Sequence, residues 1–222
     1  MAGASFLLCV FKIILFKEQF INMKITCIIY MILSGIVSDT NPGQANNGPV
    51  NYLNTPADLS FNNLTYGLSW TSHPSLEYYK QEYIPKGETV EKFTSMLMLE
   101  VLTSNVNLKD VVANKMTELR QMKARNPYVK FETTNDPATG EHILDFIVTA
   151  NSQDGQILIA ERNVYRYNTF SNKNSGKGVL LLGMSVRSYG AEAKKFLAAV
   201  EAGRPALVKK VKEFKIPAVA IK

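Results

Sequence analysis

Between Tyr128 and Ser188 the chain carries four strand-like runs in succession, Tyr128 to Thr134, His142 to Ala150, Gln156 to Phe170 and Gly178 to Ser188, separated only by short polar loops. Parallel strands need a crossover of about a dozen residues or more, so runs joined this closely pair antiparallel, as a meander. The loop Asn135 to Gly140 places Pro137 and Gly140 for a tight reversal, and Ser171 to Lys177 makes another hairpin.

Upstream, Leu64, Tyr66, Leu68 and Trp70 alternate with Thr65, Gly67 and Ser69, the period of a half-buried strand. Thr71 to Ser75 breaks it, and Leu76 to Ile84 resumes as a second strand before the turn at Pro85 to Gly87. Ser95 to Leu102, within Phe93 to Thr103, is too continuously apolar for a one-sided strand and reads as a central one. A helix then starts at Asn107, an N-cap with Asp110 at the third helical position. Its apolar face is Leu108, Val111, Val112, Met116, Leu119 and Met122, and Asn126-Pro127 stops it. The chain ends in helical sequence, Ala191 to Ala202 and, after a reset at Gly203 to Pro205, Ala206 to Phe214. Helices separated by a long meander predict an α+β fold: an antiparallel β-sheet with helices on both faces, an α/β/α sandwich.

Residues 1–45 read as a leader. Lys24, the apolar run Ile25 to Val37 and a polar stretch ending in Gly43, Gln44 and Ala45 are the three parts of a secretory signal, so a signal peptide is expected at 23–45. The simplest account of residues 1–22 is that translation starts at Met23. An uncleaved anchor and a two-helix membrane hairpin are the alternatives, although neither apolar run reaches the roughly 20 residues that cross a bilayer. Both cysteines, Cys9 and Cys27, lie in the leader, and neither sits in a lipidation box. Residues 46–222 are therefore no disulfide scaffold, thiol enzyme or cysteine-ligated zinc site. The location expected is periplasmic or secreted, with residues 46–62 a flexible lead-in and 63–222 one domain without a transmembrane helix.

The element order over residues 64–217 resembles the PsbP-like fold, an α/β/α sandwich. Locally, Tyr83 to Met96 is similar to a segment of uncharacterised exported bacterial proteins, in which a Pro-x-Gly-Glu turn precedes an aromatic-Thr-x-Met motif. Those proteins have Trp at the position of Phe93. The resemblance implies a fold and a binding or assembly role, and it carries no functional residue onto this chain.

Candidate chemistry is sparse. His73 and His142 lack metal-ligand spacing. Ser185 sits in Gly183-Met-Ser-Val-Arg187, which fails the Gly-x-Ser-x-Gly nucleophile pattern. Gly176 to Gly178 lacks the rest of a phosphate loop. Tyr165, Tyr167 and Phe170 beside Arg162 and Arg166 fit sheet packing better than base stacking, so nucleic acid is not expected. Glu100 and Asp145 lie inside apolar runs, where a carboxylate is either a perturbed acid or the partner of a base such as Arg162 or Arg166. Asn63 to Thr65 is a glycosylation sequon, meaningful only on a eukaryotic secretory route.

Charge is concentrated at one end. Of the formal +6, residues 191–222 carry eight basic against three acidic side chains. Lys194, Lys195, Lys209, Lys210, Lys212 and Lys215 fall on helical sequence, a solvated face or a basic surface for an acidic partner or an anionic membrane. The sequence thus predicts a non-enzymatic binding or assembly module in the cell envelope, acting through an unidentified protein partner, with no cofactor or metal. Its alternatives are a hydrolase using Glu100 or Asp145 and a subunit of a secretion or conjugation apparatus.

Overall fold

The computed structural model describes residues 48–172 and 176–221. The expected leader and signal peptide fall outside the described residues, as does part of the hairpin loop at 171–177. In chain order the elements are β1 (Asp58–Phe61), β2 (Leu64–Ser75), β3 (Tyr78–Pro85), β4 (Ser95–Leu102), α1 (Leu108–Arg125), β5 (Lys130–Asn135), β6 (His142–Asn151), β7 (Ile157–Asn172), β8 (Gly176–Tyr189), α2 (Ala191–Ala202) and α3 (Arg204–Glu213). The fold is mixed α+β.

All eight strands form one antiparallel sheet in the order β1-β2-β3-β4-β8-β7-β6-β5. Two meanders, β1 to β4 and β5 to β8, meet at a single ladder running from Ser95–Val186 to Leu102–Val179. The apolar run Ser95 to Leu102 is therefore central, as its burial on both sides demands. Gly178 is required there, because a Cβ would stand 1.8 Å from the Leu102 carbonyl oxygen.

Helix α1 connects the middle of the sheet to its far edge. The Asn107 side chain accepts from the Lys109 amide at 2.9 Å, and the Asn126 amide donates to Met122 at the other end. Its buried Leu108, Val112 and Leu119 share a core with Met98, Leu144, Phe146, Tyr165, Tyr167 and Leu181. Val211 of α3 shares another with Leu97, Leu99, Ile143, Val164, Leu182 and Met184. Neighbours along β4, β6, β7 and β8 divide between the two sets, following the alternation of side chains along a strand.

Two expectations need correction. Residues 46–62 hold more than a lead-in: Leu53 is fully buried, and β1 adds an edge strand with Leu59 and Phe61 inward. Polar anchors do the fixing, which a hydrophobic period does not reveal. The Leu53 amide donates to Gln81 Oε1 at 2.8 Å, and the buried Gln81 amide donates to Thr55 Oγ1 at 2.9 Å and Tyr83 Oη at 2.7 Å. Leu53 also accepts from the Ala220 amide at 2.9 Å, tying the two ends of the domain together. Second, β2 runs on through Thr71 to Ser75 with an irregular register between Ser72 and Ser75, since its pairing with β3 outweighs the local turn preference of His73-Pro74.

Candidate functional site

The β2–β3 ladder slips by one residue between Leu68 and Trp70. Leu68 stands opposite Tyr83, whereas Trp70 stands opposite Glu82, so Ser69 is extra and the side chains beyond it change sides. Trp70, the chain's single tryptophan, therefore leaves the set formed by Tyr66 and Leu68. Strict alternation predicted the reverse.

Two rows of facing residues cross the sheet on the side that receives Trp70. One is Ser72, Lys80, Glu100, Leu181 and Tyr167; the other is Trp70, Glu82, Met98, Gly183 and Tyr165. The β7–β8 end of both rows is apolar and lies in the core shared with α1. Gly183 makes room there for the Met98 methyl and the Tyr165 ring, which a Cβ would approach to 2.8 and 3.2 Å. At the β2–β4 end, Trp70, Ser72, Lys80, Glu82 and Glu100 are half-buried.

The Lys80 ammonium lies 2.8 Å from Glu82 Oε1, 3.7 Å from Glu100 Oε1 and 5.8 Å from the Trp70 ring centroid. The side chains of Lys80, Glu82 and Glu100 are only 12–13% exposed. Glu100 also accepts from the Tyr78 hydroxyl and feels Lys115 of α1. The Lys115 ammonium has its own carboxylate, Glu118, at 2.9 Å. Burial pushes the Glu100 carboxyl above the usual range despite Lys80, Tyr78 and Lys115. Lys80 is raised as well: burial alone would lower it, but Glu82 and Glu100 together hold it above the ordinary lysine value. Burial, followed by the charge of Glu100, raises Tyr78, Tyr165 and Tyr167 well above the ordinary phenol value.

Asp145 does not join this group. Arg162 grips it with Nε at 3.1 Å and Nη2 at 3.0 Å, and Arg204 Nε adds a third contact at 3.0 Å. Arg162 also donates to the carbonyls of Gly203, between α2 and α3, and of Arg204, the first residue of α3. Four residues on, Arg166 grips Glu141 and donates to the carbonyls of Val211, Lys212 and Phe214 at the end of α3. Four strand residues and nine helical ones both span about 13 Å, so β7 holds α3 at both ends. Asp145 is thus an anchor for the C-terminal helices.

The remaining candidates are spent on packing. Tyr165, Tyr167 and Phe170 are buried. Ser185 donates to Asn163 at 2.6 Å inside the sheet. The His73 ring lies 4.2 Å from that of Tyr79, stacked, with Nδ1 3.0 Å from the Tyr78 carbonyl oxygen; His142 opens β6. Among the described residues, no group of three or more His, Cys, Asp or Glu is disposed to hold a metal.

All six lysines of the expected basic face are exposed. Three are engaged locally: Lys195 with Glu192, Lys209 with Glu213, and Lys210 with the Asn62 side chain. Lys194 borders an open depression of about 420 Å³ with Tyr128, Lys130 and Leu197. Among the described residues, no helix is long and apolar enough to cross a membrane. Trp70, Lys80 and Glu82 were not singled out by sequence; the signal available was a strand with Lys80 and Glu82 alternating against Tyr79, Gln81 and Tyr83.

Residues 53–216 match a protein-family model. No curated protein and no solved structure matches the chain.

Proposed function

The chain belongs to the protein family matched over residues 53–216, a membership that brings no activity with it, and from the geometry we propose an exported, non-enzymatic binding module that contacts a protein partner through the β2–β4 end of the Trp70 face. One observation carries this reading: a bulge turns the single tryptophan out of the apolar set and onto a half-buried group of one lysine and two glutamates. A partly buried ion group costs desolvation that an apolar row in its place avoids, and local departures from the fold's own pattern concentrate at functional sites.

The two core sets support a finer view of the fold, with α1 and α3 on different faces of the sheet in a PsbP-like sandwich. The leader-like sequence pattern of residues 23–45 supports a periplasmic or secreted location. The lysines of α2, α3 and Lys215 are a secondary surface, suited to an acidic partner or an anionic membrane.

Affinity capture from an envelope fraction of the native host, with Trp70→Ala beside a Lys209→Glu, Lys210→Glu, Lys212→Glu variant, tests the assignment. A partner lost with Trp70→Ala and kept by the charge reversal is expected. A partner indifferent to Trp70, or lost only on charge reversal, overturns the choice of face. Glu100 favours a second reading, a hydrolase with this carboxyl as its acid, because burial keeps its proton at higher pH. Turnover abolished by Glu100→Gln and spared by Trp70→Ala is the result that selects it.

A further inference from the structure

Within the Trp70 group the charges do not balance. Lys80 is set between two carboxylates, and it lies closer to Glu82, at 2.8 Å, than to Glu100, at 3.7 Å. Lys115, the other cation that Glu100 feels, is committed to Glu118. One negative charge, centred on Glu100, is left without a cation of its own on a side chain that is 13% exposed. Half-buried Trp70 and Tyr78 supply aromatic surface on either side of Lys80 along β2 and β3.

We propose that this face takes a cationic side chain, an arginine or lysine presented by the partner protein, which sets its charge beside Glu100 and its stem against Trp70. The proposal rests on the binding-module reading and names the chemistry of its partner. A cation completes the charge set, whereas an anion meets an excess of carboxylate. The aromatic surface suits a guanidinium or an ammonium on an aliphatic stem, through cation–π contact and apolar packing. The chain as a whole is +6, so general electrostatics repel a basic peptide, and attraction requires a local site.

Because Trp70 is the only tryptophan, its fluorescence reports this face alone. The test titrates the full chain, at matched ionic strength, with four blocked tripeptides that carry arginine, lysine, glutamate or norleucine between two alanines. Saturable fluorescence change with the arginine or lysine peptide, and none with the other two, is expected. Removing the carboxylate charge in Glu100→Gln should weaken the basic peptide about tenfold or more, as loss of a charged hydrogen-bond partner does. Glu82→Gln is the second variant, and thermal melts establish that both are folded. Glu192→Gln, which removes an exposed carboxylate on α2, should leave binding unchanged. Equal binding of norleucine, preference for glutamate, indifference to both Glu100→Gln and Glu82→Gln, or absence of binding by any peptide overturns the cation assignment. If Trp70-dependent capture persists in any of those cases, the contact face stands without it; if capture is also indifferent to Trp70, both fall.

Discussion

Arg162 and Asp145 reach each other diagonally across adjacent strands as a two-pronged pair, 3.1 and 3.0 Å, with each residue only 4% exposed. The same carboxylate accepts from Arg204, so one acid on β6 joins the sheet to the first residue of α3. Asp145→Ala leaves Arg162 buried without a counter-charge and is expected to cost about 3–5 kcal/mol, read as a fall in the urea midpoint at unchanged slope. Glu132→Ala, which removes the 70% exposed partner of Arg204, should cost less than about 1 kcal/mol.

Arg166 serves the far end of α3, and its fork geometry is what matters. Lysine keeps the charge but cannot bind Glu141 with two nitrogens while donating to three carbonyls. Arg166→Lys is expected to lose about 1–2 kcal/mol locally, seen as faster amide hydrogen exchange through residues 207–214. Unchanged protection there would mean that Val211 and its apolar neighbours hold the helix unaided.

Tyr78, Tyr165 and Tyr167 make the fold sensitive to alkali. Their folded values are raised well above 10.0, so the unfolded chain loses these protons first. The folded state therefore holds more protons, and stability is complete below the ordinary phenol value and falls as pH rises beyond it. Urea midpoints measured from about pH 9 to 11 should drop steadily, and Tyr167→Phe should flatten the slope.

Glu100 has the same sign in a lower window. Its folded value is raised, so its contribution is fully present below the unfolded value near 4.5 and is lost as pH rises through the folded one. Glu100→Gln should therefore look better, relative to the native chain, at about pH 7 than at about pH 4. The opposite trend would show that Lys80 and Tyr78 overcompensate the burial, and would remove the stability cost attributed to the Trp70 face.

Gly178→Ala places a methyl on the Leu102 carbonyl, at the ladder that joins the two meanders. Backbone has to move, and a loss above about 3 kcal/mol or failure to fold is expected, measured by thermal unfolding. Gly87→Ala, at a turn with open space but φ of 92°, should cost less, about 1–2 kcal/mol.

Most strands were legible because each has its own signal: continuous apolarity in Ser95 to Leu102, tight polar loops between the runs of the meander, and a side-chain cap at Asn107 for α1. What stayed hidden was non-local. Leu53 and Thr55 are held by Gln81 and Tyr83, partners more than twenty residues away that leave no period behind. The slip at Ser69 is a property of the ladder, so alternation put Trp70 with Tyr66 and Leu68, and the site went unseen. The lysines were visible as residues but not as partners: the sequence carries Asn62 and Lys210 148 positions apart, and only the fold brings them together.

The sheet consists of two contiguous stretches of chain joined along one edge, and this has a kinetic consequence. Each meander closes through hairpins of short reach, whereas β4 and β8 must find one another from opposite ends of a long loop. Loop-closure entropy makes that encounter the slow one. Until it occurs, each half offers a bare strand edge, β4 on one and β8 on the other, so a second chain in the same state is a ready partner for a swapped dimer.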